Sequence, residues 1–351
     1  MIKKVLLLAA LLALPAAPAF AWGTAGHRII SKAAMQTLPA SVPEFLRTPA
    51  AIDEVTSLGP ELDRLKDSGD PHDADDDPGH YLDAFDDLSI AGVARMDALP
   101  KDRQAYATAL ASAHTNEYAQ GYLPYSIIDG WEQIRKDFAY WRADDYLGQH
   151  SISAEDRAWF VTDKALREML TLRDIGVWGH VVADGSQPLH VTVHFNGWGK
   201  YPNPKHYSTS YHVHSNFEGE YVRNHANAGA IRSLVSDVAF GVTSFANGGS
   251  LADNTSTAFI IAQIEGYLIG SAHEVKPLYD LDLQDAFSAA GTPAGTDFVQ
   301  HQLARGAQEM RDLIVAAWDS SLGQSVSYPL IPLGDILSGK VLPTPKAFGS
   351  D

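Results

Sequence analysis

His180-Val181-Val182-Ala183-Asp184-Gly185-Ser186-Gln187-Pro188-Leu189-His190 is the densest stretch of ligand chemistry in the chain. His180 and Asp184 stand four residues apart, so on a helix both side chains leave from one face. The helix predicted to carry them runs from about Ala154 to Asp184, with interruptions at Gly176 and Gly179. Gly185 and Pro188 stop it, and the turn they force sends His190 back towards the same face. Imidazole and carboxylate are the ligands zinc accepts where thiolate is absent. This sequence has no cysteine.

Outward from that stretch, helical spacing recurs. Residues 26–47 place Ile29, Ile30, Ala33, Ala34 and Leu38 three to four apart. Residues 101–119 and 127–146 read as helices with Pro124 in the turn between them, and further helical patterns cover about 213–224, 227–246, 256–272 and 297–320. Residues 68–79 form an acidic loop, and 196–211, rich in Gly, Pro, Tyr and Asn, form a long one. Alternating β patterns are scarce. The expectation is an all-α protein with one principal domain over 22–322, long irregular loops, and an irregular tail over 323–351.

The first 21 of the 351 residues are excluded from that domain. Lys3 and Lys4 form a basic head, Val5 to Leu14 an apolar run too short to span a bilayer, and Ala19-Phe20-Ala21 a signal-peptidase site. Cleavage after Ala21 predicts a secreted or periplasmic protein. No later run approaches the roughly 18 apolar residues of a membrane helix, so no transmembrane anchor is expected, and no obligate protein partner is inferred. Removing Lys3 and Lys4 from 26 basic side chains leaves 24 against 43 acidic ones, a formal charge of −19. That balance disfavours broad attachment to nucleic-acid backbones or anionic membranes, while permitting a local cationic site built on bound metal.

A lone His-x-x-x-Asp pair is weak evidence, because such pairs are common on helix surfaces. Four further elements strengthen it. His214 and Glu218 repeat the four-residue spacing. Trp22-Gly23-Thr24-Ala25-Gly26-His27 begins at the predicted cleavage point, where a free α-amine and its own carbonyl can chelate a metal. Leu62-Asp63-Arg64-Leu65-Lys66 offers a carboxylate with cationic neighbours, and Gly79-His80-Tyr81-Leu82-Asp83 adds an imidazole after the acidic loop.

Together these elements resemble the zinc-dependent phospholipase C and S-one/P-one nuclease superfamily, in chain order from Trp22 to Glu218. The resemblance implies a multi-helix fold of that type holding three Zn2+ ions. It would place Asp63, His80, His180 and Asp184 on one zinc. A second would sit on Trp22 and His27 with Asp184 shared, and the third on His190, His214 and Glu218. The activity implied is phosphodiester hydrolysis by zinc-activated hydroxide attacking phosphorus in line. Asp63, Lys66 and Asp184 would be the residues closest to that chemistry. Lys66 stands where the nucleases commonly carry an arginine on the phosphate, and a lysine lacks the bidentate fork; Arg64 is an alternative donor. Asp67 competes with Asp63 as the ligand, since the spacing from Asp63 to His80 is long.

Substrate evidence in the sequence is divided. The five-residue step from Trp22 to His27, the 24-residue gap from His190 to His214, and His80-Tyr81-Leu82-Asp83-Ala84 are similar to the nucleases. There the aromatic stacks on a base and the aspartate accepts from its edge, which makes Lys66, Tyr81 and Asp83 the implied substrate contacts and single-stranded nucleic acid the substrate. Core packing is the plain alternative for Tyr81. Glu218 and the segment His214-Ser215-Asn216-Phe217-Glu218 resemble the phospholipases instead, so head-group release from phospholipid is the alternative activity. The strip Gly121 to Trp131 reads as core, or as the wall of a cleft. Asp73, Asp75, Asp76 and Asp77 read as a solvated loop, and His194, His206 and His212 are expected to face solvent.

Overall fold

Serine and proline set the ends of the longest helices. The computed structural model describes residues 22–66, 76–236 and 257–350, so the predicted signal peptide, Asp67 and most of the acidic loop lie outside the described residues, as does the end of the predicted 227–246 helix. Helix α1 covers Gly23–Gln36 and α2 Pro49–Leu58, where the Thr48 hydroxyl caps the start by accepting from the Ala51 amide. Helix α3 is Arg103–Ser112, α4 Leu123–His150 and α5 Ala154–Asp184. Later come α6 (Thr257–His273), α7 (Val275–Asp282) and α8 (Pro293–Ser320). The described residues are mostly helical, with only two short antiparallel ribbons, Ser89–Ile90 with Ala94–Arg95 and Ser325–Val326 with Ile331–Pro332.

Helices α4 and α5 pack along each other, joined by a connection too short for anything but an antiparallel pair. Helix α8 lies against α1, α4 and α5, and α2 bridges α1 and α5. Trp131, Phe138, Ile175, Leu303, Met310 and Leu313 are buried in the shared core. Among the described residues no helix is long and apolar enough to cross a membrane.

Several expectations need correction. The helix read over 26–47 ends at Gln36, because Pro39 lacks an amide and disfavours helix in the residue before it. Pro124 sits in the first turn of α4 instead of in a connection, since a missing amide costs nothing there. Helix α5 runs unbroken through Gly176 and Gly179. A Cβ at Gly176 would lie 2.6 Å from Leu58, and one at Gly179 2.5 Å from Met310, so both glycines serve close packing. The tail is less irregular than expected. Val326, Leu333 and Ile336 bury against Ala139, Ala143, Leu147 and Phe160 in a second apolar cluster, and Phe348 packs on it.

Candidate metal centre

Helix α5 delivers His180 and Asp184 to the core end of the bundle from a well-defined start. Its Ser153 hydroxyl accepts from the Asp156 amide, and Glu155 and Asp156 complement the helix dipole in the first turn. At the other end Gly185 leaves the helix and Pro188 opens a 3-10 turn ending at His190. His27 comes from α1, Asp63 from the turn Leu62–Arg64, and His80 from the turn Asp77–His80. His214 precedes, and Glu218 lies within, the π-helical segment Asn216–Tyr221. Such segments interrupt the α-helical ladder and recur at functional sites.

These eight side chains gather into three buried groups, namely His27 with His180 and Asp184, Asp63 with His80 and His180, and His190 with His214 and Glu218. His180 Nε2 is 3.5 Å from Asp63 Oδ1 and 3.5 Å from Asp184 Oδ2. His27 Nε2 is 3.6 Å from Asp184 Oδ1 and 3.9 Å from Asp63 Oδ2. Two ligand atoms on one tetrahedral zinc, each bonded at about 2.0–2.1 Å, stand about 3.3 Å apart. The separations therefore suit a shared ion. In the third group Glu218 Oε2 lies 2.8 Å from His214 Nε2 and 3.7 Å from His190 Nε2.

Three of the five rings are aimed by the backbone. His180 Nδ1 bonds to the Gly59 carbonyl at 2.8 Å, His80 Nδ1 to Asp77 at 3.0 Å, and His190 Nδ1 to the His80 carbonyl at 2.7 Å. A carbonyl only accepts, so Nδ1 carries the proton and Nε2 presents its lone pair to the centre. The Nε2 atoms of His80, His180 and His190 and both carboxylate oxygens of Asp184 are buried with no hydrogen bond among the described residues. Leaving such acceptors dry is costly unless a cation meets them. The donor set fits divalent metal.

Electrostatics agrees. Burial pushes the Asp184 carboxyl well above the usual carboxylate range, and the charges of His190 and Lys66 only partly offset it. Burial would raise Asp63 as well, but the close approach of His180 and the charges of His180, Lys66 and His27 outweigh that and hold it well below. Burial, with Lys66 and His180 nearby, pushes His80 well below the ordinary imidazole value, which keeps it neutral and able to ligate. Glu218 is lowered despite burial by His214 and His190.

Trp22 is fully buried, and its indole donates to the Ala183 carbonyl and the Ser186 hydroxyl, each at 2.9 Å. The residue is thereby locked beside Asp184. Lys66 Nζ lies 2.9 Å from Asp63 Oδ1 and also lines a cleft of about 330 Å³. Tyr81, Asp83, His80, His190 and His214 share that cleft with Tyr118, Phe195 and Asn196. Tyr81 is therefore a wall residue and not core, its hydroxyl donating to the Tyr118 carbonyl. Burial pushes the Asp83 carboxyl up to about 8.

Some assignments shift. Arg64 pairs with Glu61 at 3.0 Å on an exposed side chain and takes no place in the cleft wall. The strip from Tyr122 to Trp131 is largely core. His194, expected to face solvent, is 2 % exposed and stacks on Trp198 at 3.8 Å, because the loop folds over its own aromatic residues; His206 and His212 are exposed. Sequence reasoning gave no role to Gln187, whose amide donates to Glu218 Oε2 at 3.0 Å while its oxygen accepts from the Leu189 amide at 2.7 Å. Its place inside the His180–His190 stretch was the available signal.

No protein-family model matches this chain, and no curated protein matches it.

Proposed function

We propose that the protein is an exported, metal-dependent phosphodiesterase that hydrolyses single-stranded DNA or RNA to 5′-nucleotides, with a fold and three-zinc centre of the phospholipase C and S-one/P-one nuclease type. The observation that carries this reading is the meeting of eight ligating side chains in three adjacent buried groups beside one cleft lined by Lys66, Tyr81 and Asp83. Zinc held by these eight side chains would supply an activated water at neutral pH and offset charge on the phosphate oxygens.

The chain's own residues do the rest. The Lys66 ammonium, the cleft's cation, binds a phosphate oxygen. Tyr81, fixed through its hydroxyl, offers a ring face to an unpaired base. Asp83, kept largely protonated at neutral pH by burial, both donates to and accepts from the base edge. The backbone carbonyls of Gly59, Asp77 and His80 hold the ligand rings in place through turnover.

Phospholipase C activity is the second reading, favoured by the glutamate at position 218. A parallel assay decides between them, using zinc-loaded protein beginning at Trp22 with single-stranded DNA, RNA and phosphatidylcholine at matched pH. Release of 5′-mononucleotides, abolished by a chelator, with little lipid turnover is the expected result. Phosphocholine release with intact nucleic acid would reverse the order, and no turnover of any of the three would sink both.

A further inference from the structure

The segment 81–85 is tied by the Leu82 amide to the His190 carbonyl at 2.8 Å, by the Asp83 amide to Gln120 at 2.7 Å, and by the Val193 amide to Ala84 at 3.0 Å, with the Ala84 amide turned back to the Leu82 carbonyl at 3.0 Å. Leu82 and Ala84 are buried, while Tyr81 and Asp83 are half-buried and Phe85 is exposed. Tyr81 and Asp83 line the cleft, and Phe85 follows two residues further along the chain. Its ring meets Tyr201 edge-on at 5.8 Å. Phe85 and Tyr201 are each 36 % exposed, and Phe195, on the cleft wall, is 38 % exposed.

Single exposed aromatics need no explanation, but adjoining ones at the lip of a cleft do. The ground beneath them is built to be rigid. His194 stacks on Trp198 and meets Tyr201 edge-on at 5.0 Å. Its Nδ1 bonds to the Trp198 carbonyl at 3.1 Å, and its own carbonyl accepts from Tyr279 at 2.6 Å. Asp86, which would repel a phosphate here, is matched by His194 Nε2 at 3.3 Å and Lys276 at 3.0 Å.

We infer that Phe85 and Tyr201 form a second stacking site for a base flanking the one held by Tyr81 and Asp83, so that the enzyme favours a strand over a single nucleotide. This rests on the nuclease reading of the cleft. Rigid aromatic faces bind any base, and each such stack is worth about tenfold in binding.

The test compares kcat/KM of the zinc-loaded enzyme on tetrathymidylate with that on thymidine 3′-(p-nitrophenyl phosphate), which carries one base. In the F85A/Y201A variant the ratio of the two should fall about tenfold or more, and Y201F, which keeps the ring, should retain the wild-type ratio. The ratio is insensitive to a loss of active protein. An unchanged ratio in the double variant, or a fall in Y201F equal to that in the double variant, overturns the stacking site while leaving the nuclease reading intact. A wild-type enzyme that hydrolyses neither substrate overturns the nuclease reading and the stacking site with it.

Discussion

Gln187 and Glu218 meet at 3.0 Å across 31 residues of sequence, and the same glutamine side chain also accepts from the Leu189 amide. One amide thus fixes the turn that aims His190 and orients the carboxylate that completes its group. Outer-shell partners of this kind typically change metal affinity by about 10- to 100-fold when removed. Gln187→Leu should weaken the His190, His214 and Glu218 site by that order and leave the other two groups loaded. Zinc stoichiometry against a graded chelator reads this directly, and uniform loss from all sites would refute it.

Asp184 directs one oxygen towards His27 and the other towards His180, which in turn belongs to the group of Asp63 and His80. Asp184→Asn should therefore release two metals together, whereas His214→Ala should release one and spare the pair. Metal counts falling equally in both variants would show that the groups are not organised this way.

Lys66 is the phosphate contact in the proposed mechanism. Lys66→Ala should lower kcat by about 100-fold, the scale for removing one charge-stabilising donor, with zinc content unchanged. Lys66→Arg should recover most of it. A loss of zinc in Lys66→Ala would reassign the residue to holding Asp63.

Asp144 lies far from the metal groups, fully buried between α4 and α5, and burial together with the Asp163 charge pushes its carboxyl up to about 9. A carboxyl raised in the folded state binds a proton that the unfolded chain releases near the ordinary value of 3.8. Its contribution to stability is then greatest at low pH and drains away as pH rises from about 4 to about 9. Asp144→Asn removes that dependence, so its advantage in thermal midpoint over the wild type should grow across the window. A difference constant with pH would contradict this.

Much of the helical frame was legible because its signals are local. Ser153, Gly185 and Pro188 bound α5 with little ambiguity, and the ligand spacing His180–Asp184 and His214–Glu218 needs only helix geometry. What was hidden depends on partners distant in sequence. Gly176 and Gly179 look like breaks until Leu58 and Met310 are seen filling the space. Helix α2 opens on Pro49 at its first position, where the missing amide costs nothing. His194 is polar by type, and its burial follows from Trp198, Tyr201 and Tyr279 folding around it. Phe85 was visible in principle, two residues beyond Asp83, but so short a segment does not stand out in a helical chain.

The second apolar cluster, where residues 326–348 close over Ala139, Ala143, Leu147 and Phe160, sits at the opposite end of α5 from Asp184. Twenty-four residues of helix separate Phe160 from Asp184, which is about 36 Å at 1.5 Å per residue. A dye or a surface tether attached on that side would hold the molecule by a solid handle with the cleft facing away. Under the proposed nuclease activity, immobilised single-molecule recordings of a strand at the candidate metal groups are then feasible without touching the cleft residues.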